Sequence, residues 1–562
     1  MRREVSVVNK KVCSFPILFA LLALLIGTCA VVFPASAQAA PTSTGSITVS
    51  GTVASSYDAY QIFSANVVDG DSDAKTATDL AWASDAVRDA ALPVLHSAGM
   101  PNSQTTAQEA AEWLNADSHL TSALSAQLAR SLQSSGAVPV ALNAGTEAEL
   151  PCGYWLIVAD DDAIAQGEAG SAPIMALVGG SAVTVKPKAA TPKVFKHVLE
   201  DSTAAWQKAA DATVADDLYW RLSATVPAGL TAYDTYTVRF VDTMSAGLDP
   251  SKVAASMRVY VAAGADGGFD AVQTGKDGRA GTDPAKGWTD ITAQCATKVA
   301  ADGTFTVRTG DLIAALGGAD AFTAGARVVA VYNAPLNSAC SHGIAKGNPN
   351  AVYLRYPRSP FADQSGDAGF TRTPSDDACA YTWDLALTKR GSDGDKPLAG
   401  AVLSIADDRG RTLAADGTWD AEGKATVTTG EDGRVTVSGV DSGKLEVREL
   451  KAPKGYTAFE GTRSVTVKAE GLDVDQVAAA KPKLTITAES PLRADSADGS
   501  TGSLEASLIN TPTGTPPSIT TGGFMPSTGD MAMYAAAAAA VAGAALIVVA
   551  LLVKRGGGSH KE

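Results

Sequence analysis

Trp383-Asp384-Leu385-Ala386-Leu387-Thr388 sets a large apolar side chain at every second position, the period of a strand with one face buried. The same alternation runs through residues 45–53, Gly-Ser-Ile-Thr-Val-Ser-Gly-Thr-Val, and recurs at 182–185, 236–241, 327–332, 351–356, 401–405 and 504–509. Gly, Pro and Asp cluster between these runs, the punctuation expected of a β-sandwich. One stretch differs. Residues 77–135 are rich in Ala, with Ala107, Ala110, Ala111 and Leu114, then Leu124, Leu128 and Leu132, at helical spacing. The chain therefore reads as mainly β, a tandem of sandwich domains of which the first carries an added helical insertion.

With 562 residues the chain has room for three or four domains. Aromatics make up 6% and charged residues 19%, a mix that suits extended β-domains with modest cores better than a deep-pocketed enzyme. The formal charge of −15 argues against a nucleic-acid partner, which needs clustered Lys and Arg. No HExxH or GxSxG pattern occurs, and His96, His119, His197, His342 and His560 are scattered. Asp160-Asp161-Asp162 reads as a turn. Neither enzyme activity, a metal site nor a cofactor is expected.

The amino terminus has the parts of an export signal. Arg2, Arg3, Lys10 and Lys11 precede an apolar stretch from Phe15 to Phe33, and small residues follow at Ala35-Ser36-Ala37-Gln38-Ala39-Ala40. Pro34 speaks against an uncleaved anchor helix, and Thr28 before Cys29 against a lipoprotein. Removal of the signal leaves Cys152, Cys295, Cys340 and Cys379, an even number in an oxidising setting, with three pairings open. Cys295 and Cys340 fall in one expected domain and are the favoured disulfide.

Near the other end, Met525-Pro526-Ser527-Thr528-Gly529 precedes an apolar run from Met531 to Val553, and Lys554 and Arg555 follow. About 20 apolar residues suffice to span a bilayer as helix, and cations just beyond hold that end in the cytoplasm. Pentapeptide, span and basic tail in this order resemble a Gram-positive cell-wall sorting signal of the LPxTG type, with Met525 in place of the usual Leu. The resemblance implies that a sortase cysteine attacks the Thr528–Gly529 carbonyl and keeps the chain as an acyl-enzyme through Thr528. Residues 511–523, rich in Thr, Pro and Gly, would give the enzyme slack.

Residues 383–512 carry a second resemblance. Leu385-Ala386-Leu387-Thr388-Lys389, Pro397-Leu398-Ala399-Gly400-Ala401-Val402-Leu403, the segment from Leu445 to Tyr456, and Leu508-Ile509-Asn510-Thr511-Pro512 occur in that order. The order resembles the B-type repeat of Gram-positive collagen adhesins, an immunoglobulin-like sandwich. Glu449-x-x-Ala452-Pro453-x-Gly455-Tyr456 is similar to the E-box of sortase-assembled pilins. Such domains make an internal isopeptide bond. The resemblance assigns Lys389 as nucleophile, Asn510 as electrophile and Glu449 as the acid between them. A lysine attacks only as the neutral amine, a state that burial among apolar side chains favours. Protonated Glu449 would hydrogen-bond the Asn510 amide and shuttle protons as ammonia leaves.

The middle of the chain matches less completely. Phe195-Lys196-His197-Val198 offers a first-strand lysine, and Phe240-Val241-Asp242-Thr243-Met244-Ser245-x-Gly247-Leu248 resembles the Asp-bearing segment of pilin middle domains. Where that family has an acceptor Asn, this chain has Leu354-Arg355-Tyr356-Pro357-Arg358-Ser359-Pro360, and Asn348 and Asn350 lie earlier. The middle domain is expected to keep the fold without a completed Lys196 bond, braced instead by a Cys295–Cys340 disulfide. Val183-Thr184-Val185-Lys186-Pro187-Lys188 resembles the Val-Tyr-Pro-Lys-Asn motif of shaft pilins. That match assigns Lys188 as the amine that resolves the next subunit's acyl-enzyme. Lys186 stands where the motif has Tyr and Ala189 where it has Asn, and Lys186 and Lys193 are its rivals.

The resulting plan is a signal peptide at 1–39, an N-terminal pilin domain at 40–188 and a middle isopeptide-type sandwich at 189–379. A collagen-adhesin B-type domain follows at 380–513, then a linker with the sorting motif at 514–530, a transmembrane helix at 531–553 and a cytoplasmic tail at 554–562. The resemblances imply tandem immunoglobulin-like sandwiches serving as a pilus shaft subunit, polymerised by sortase and anchored to the wall of a Gram-positive bacterium. The partners they imply are pilus-specific and housekeeping sortases, copies of the chain itself, minor pilins, peptidoglycan, and a host glycan or matrix protein. The alternative is a minor pilin or monomeric wall-anchored adhesin presenting a ligand-binding surface on the helical insertion.

Overall fold

The computed structural model of the chain describes residues 43–51, 53–70, 74–116, 118–188, 190–228, 230–264 and 287–514. The expected signal peptide, the sorting motif Met525–Gly529, the apolar span and the basic tail lie outside the described residues. Among the described residues no helix is long and apolar enough to cross a membrane.

Among the described residues six sheets, taken in successive pairs, make the fold mainly β. In the first pair, Thr44–Val49 runs antiparallel to Glu147–Pro151 and parallel to Val183–Val185. It packs on a sheet in which Ser56–Asp69 lies between Lys75–Trp82 and Gly153–Ala159. Ile47, Tyr57, Trp155 and Ile157 fill the space between the two sheets. From the opposite face of the second sheet, Leu156 and Val158 meet Leu95, Leu114, Leu128 and Leu132 of the helices. Gly153–Ala159 is therefore covered on both faces, which is why it reads Gly-Tyr-Trp-Leu-Ile-Val-Ala without alternation.

The helices are α1 (Asp85–Ser97), α2 (Ala107–Asn115) and α3 (Ser122–Ser135). Each begins at a side-chain cap: Ser84 Oγ accepts from the Val87 N–H, Thr106 from Glu109, and Thr121 from Leu124. Thr106 and Glu109 bond each other's backbone reciprocally, and Gly136 ends α3 in the left-handed region at φ 78°. Residues 77–82, expected to be helical, are instead strand. They extend the sheet by pairing Ala77 with Val67 and Trp82 with Phe63, and helical spacing starts only after the Ser84 cap.

The second pair of sheets is larger. A six-stranded sheet orders Ala205–Gln207, Val194–Glu200, Tyr219–Thr225, Arg327–Asn333, Arg258–Ala262 and Trp288–Asp290. It faces a seven-stranded sheet built from Ala209–Asp211, Asp376–Tyr381, Asn348–Pro357, Arg239–Met244, Thr304–Arg308 and Ala296–Val299, with Phe370–Arg372 on Asn348–Pro357. Trp220, Phe240, Phe305, Tyr332 and Leu354 lie in the shared core, each apolar side chain contributing roughly 1.5–3 kcal/mol by burial. The alternation at 236–241 becomes a strand only from Arg239. Tyr236 donates its N–H to Asp311 Oδ1 instead of a ladder partner.

In the third pair, Trp383–Gly391 lies between Arg434–Val440 and Ser503–Pro512. The first and last strands of this unit are thus neighbours, and they run parallel, from Asp384 opposite Ser503 to Gly391 opposite Asn510. The facing sheet centres on Val402–Ala406, Gly443–Lys451 and Thr462–Glu470. Trp383, Leu385 and Leu387 point into the core with Leu403, Val447, Val465 and Leu508, as the alternation from Trp383 to Thr388 requires.

Candidate functional site

Inward parity along Trp383–Gly391 carries from Trp383, Leu385 and Leu387 to Lys389, which is 0% exposed. Asn510 comes from the adjacent strand at 2% exposure, and Glu449 from Gly443–Lys451 of the facing sheet at 6%. The three expected residues meet. Lys389 Nζ donates to Asn510 Oδ1 and lies 3.2 Å from Glu449 Oε1. Asn510 Nδ2 donates to both carboxylate oxygens, at 2.9 and 3.0 Å. The Phe459 N–H, donating to Glu449 Oε2 at 3.1 Å, holds the carboxyl from behind.

Burial sets the chemistry of this group. Desolvation pulls the Lys389 amine down to about 8, against the opposing pull of Glu449. A free amine is thereby within reach at ordinary pH. Glu449 Oε1 touches both the lysine nitrogen and the amide nitrogen, so one carboxyl group can take a proton from the first and give it to the second. That is what is needed to join Nζ to the Asn510 side-chain carbonyl carbon while Nδ2 departs as ammonia.

The middle unit holds a second buried lysine. Lys196, Asp242 and Asn350 are each 0% exposed. Lys196 Nζ donates to Asp242 Oδ2 and, at 2.9 Å, to the Tyr332 hydroxyl. The same hydroxyl receives the Asn350 Nδ2 at 2.8 Å, and so stands between the amine and the amide. Desolvation lowers the Lys196 amine to about 8 and raises the Asp242 carboxyl. Asp242 Oδ1 and Asn350 Oδ1 are buried without hydrogen-bond partners among the described residues. Sequence reasoning brought Lys196 and Asp242 together, set Asn350 aside as lying too early in the segment, and missed Tyr332. Parity held the clue, because Asn348, Asn350, Val352, Leu354 and Tyr356 are the buried positions of one strand.

The other expected residues are dispersed. Lys188 is exposed in the extended segment after Val183–Val185, as are Lys186 and Lys193. The favoured Cys295–Cys340 disulfide is absent, and Cys152, Cys295, Cys340 and Cys379 are all free thiols. Cys295 precedes Ala296, which pairs with Arg308 and so lies at the Arg239 end of Arg239–Met244. The Cys340 backbone sits against Gly247, beyond the opposite end of that strand. Five residue rises put about 17 Å between those ends, well over the roughly 7 Å that a disulfide tolerates. Cys340 Sγ instead meets His342 Nε2 at 3.5 Å. Among the described residues no group of three His, Cys, Asp or Glu could hold a metal ion.

Residues 384–481 match the SpaA family, whose domain is described as a prealbumin-like fold. The matched stretch lies in the third unit, which is similar to a SpaA domain. The match covers Lys389 and Glu449 and stops before Asn510. A curated relative, the trypsin-resistant surface T6 protein of Streptococcus pyogenes serotype M6, is 30% identical over 143 residues, 24% of each chain. The chain thus matches about a quarter of that relative's length. Solved structures similar to this chain include the T6 backbone pilin of serotype M6 Streptococcus pyogenes, at 16% identity and a TM-score of 0.45, covering 84% of this chain and 98% of that one. Another is the full-length major pilin SpaD from Corynebacterium diphtheriae, at 15% identity, a TM-score of 0.40 and coverage of 84% and 98%.

Proposed function

We propose that this chain is a structural shaft subunit of a covalently assembled surface pilus, and that its third unit, the SpaA-like domain, cross-links itself. The supporting observation is the buried contact of Lys389, Glu449 and Asn510 between the first and last strands of that domain. In the cross-linking step the Lys389 Nζ–Asn510 Cγ bond forms, the Asn510 Cγ–Nδ2 bond breaks, and ammonia leaves with the lysine's proton relayed by Glu449. The group acts once and on itself, so the chain is a building material and not a turnover catalyst.

Assembly follows from the sorting motif and the exposed lysine. A sortase cleaves Thr528–Gly529, and the Thr528 acyl group passes to Lys188 of the next copy. The same acyl group, transferred to peptidoglycan by a housekeeping sortase, anchors the completed fibre at the cell surface, where minor pilins join it. Domain bounds at 40–188, 189–379 and 380–513 belong to this plan. The test is the state of the protein in wall extracts. Wild type should form a high-mass ladder, Lys188→Ala should leave only wall-attached monomer, and removal of Met525–Gly529 should abolish both. A full ladder from Lys188→Ala would move the acceptor to another lysine, and a wild type that never forms one would overturn the shaft assignment.

A further inference from the structure

The outer face of the middle unit carries a feature unrelated to its buried lysine. In the register of the seven-stranded sheet, Arg308 pairs with Arg239, Arg239 with Arg355, and Arg355 with Arg372. Four arginines from four adjacent strands therefore stand in one row. Their inward neighbours Val307, Phe240, Leu354 and Thr371 are buried, so the row faces outward. Like charges directly opposite each other destabilise a sheet, and with strands about 4.8 Å apart the row is roughly 14 Å long. Among the described residues, Asp367 is the one carboxylate ion-paired with it, through Oδ1 to Arg239 at 2.5 Å and Oδ2 to Arg355 at 3.0 Å. Arg308 and Arg372, at the two ends, have no ion pair among the described residues. All this sits in a chain of net charge −15.

The row runs into an open groove of about 350 Å³ at the seam with the first unit. Arg355, Arg358 and Arg372 line it with Gln166, Tyr353 and Thr371, and no Asp or Glu is among its walls. Asp367 shows what the row accepts: one oxyanion whose two oxygens bridge neighbouring guanidiniums. Burial, and then the Arg308 charge, pull the Arg239 guanidinium below its ordinary pKa, as expected where cations are crowded.

We propose that this arginine row and the adjoining groove bind a linear sulfated polysaccharide. A sulfate monoester offers several terminal oxygens to adjacent guanidinium forks, and the strand spacing is close to the rise of one pyranose unit. Nucleic acid fits less well. Single strands call for open aromatic faces on which bases stack. Here guanidiniums already cover the nearby rings, Arg239 over Phe370 at 4.0 Å and Arg372 over Tyr353 at 5.3 Å.

Heparin is the probe, with fully desulfated heparin and a single-stranded oligonucleotide as comparisons, all titrated into the intact chain at several salt concentrations. Wild type should bind heparin at physiological ionic strength and bind both comparisons at least tenfold more weakly. Arg308→Gln with Arg372→Gln should cut affinity tenfold or more, lower the slope of log K against log salt by about two, and leave the thermal midpoint no lower, since two like-charge pairs are relieved. Asp367→Asn, which removes the carboxylate charge from Arg239 and Arg355 while their bonds to the Gln364, Gly366 and Asp367 main-chain carbonyls remain, should tighten binding. The proposal is overturned if heparin fails to bind wild type, if the double variant binds as wild type does, or if either comparison binds as tightly as heparin.

Discussion

Lys389 and Asn510, 121 residues apart in sequence, meet side chain to side chain across two neighbouring parallel strands. The contact is buried, and the third member, Glu449, reaches it from the opposite sheet.

The intact mass of the exported chain should therefore fall short of its sequence mass by one ammonia. Glu449→Ala should regain it. A cross-link closing a loop of 121 residues contributes about 4–5 kcal/mol by chain entropy, so the same variant should unfold at clearly lower temperature. An unmodified Lys389 in a peptide map of folded wild type would sink the assignment.

Only one ammonia should be lost, because the Tyr332 hydroxyl separates the Lys196 amine from the Asn350 amide. Lys196 should appear as a free amine after digestion. Asp242→Ala should leave the mass deficit unchanged and cost about 3–5 kcal/mol, the usual effect of stripping a buried charge of its partner. Loss of two ammonias in wild type would show that Asn350 is an acceptor after all.

The acidic cluster between the middle and third units should contribute less stability as pH rises from about 4.5 to about 7. His197 contributes in the opposite sense: burial holds its ring down to about 3, so it gains stability up to its unfolded value near 6.5. At that seam burial and then the Asp211 charge push the Glu200 carboxyl up to about 7. Burial likewise raises Asp201 and Asp441, with Asp211 adding to both. The cations at this seam are Arg409, 3.7 Å from Asp201, and Arg411, which is committed to Asp216 and Asp407. A carboxyl group whose folded pKa lies above its unfolded value binds its proton more tightly when folded, so raising pH through that window removes stability. The Glu200 shift corresponds to about 3 kcal/mol. The check is the thermal midpoint of Asp441→Asn against wild type at pH 5 and pH 8, which cancels the His197 contribution: the variant should gain on wild type more at pH 8 than at pH 5. An equal or smaller gain at pH 8 would refute it.

No disulfide should be found. Thiol titration of the denatured, unreduced chain should count every cysteine of the secreted protein as free, and a reductant should not change its midpoint. Cys295→Ser with Cys340→Ser should be close to neutral. A mobility shift on reduction of the monomer would contradict the separation of these residues along Arg239–Met244.

What could be read from sequence was whatever repeats locally or follows a motif. Alternation placed the strands because side-chain direction has a period of two. It failed at Gly153–Ala159, where both faces are buried, and at residues 77–82, where Ala in an edge strand mimics helix. The Lys389 group was legible because a motif fixes its three positions. Asn350 was set aside because its role depends on which residue of a ten-residue strand comes level with Met244. The arginine row was equally hidden, since four strands separated by long stretches of chain must align before those charges become neighbours. Sharing a domain likewise could not tell which end of a sheet each cysteine occupies.

The parallel pairing of Trp383–Gly391 with Ser503–Pro512 also determines how the third unit meets a mechanical load. Chain enters at the lower end of the first strand and leaves at the upper end of the last, so tension pulls the two past each other. Every rung from Asp384–Ser503 to Gly391–Asn510 is then strained together, whereas an antiparallel pair pulled from one end would open rung by rung. The fold resists stretching by shear, and the Lys389–Asn510 contact sits at the far end of that ladder, next to where the load departs.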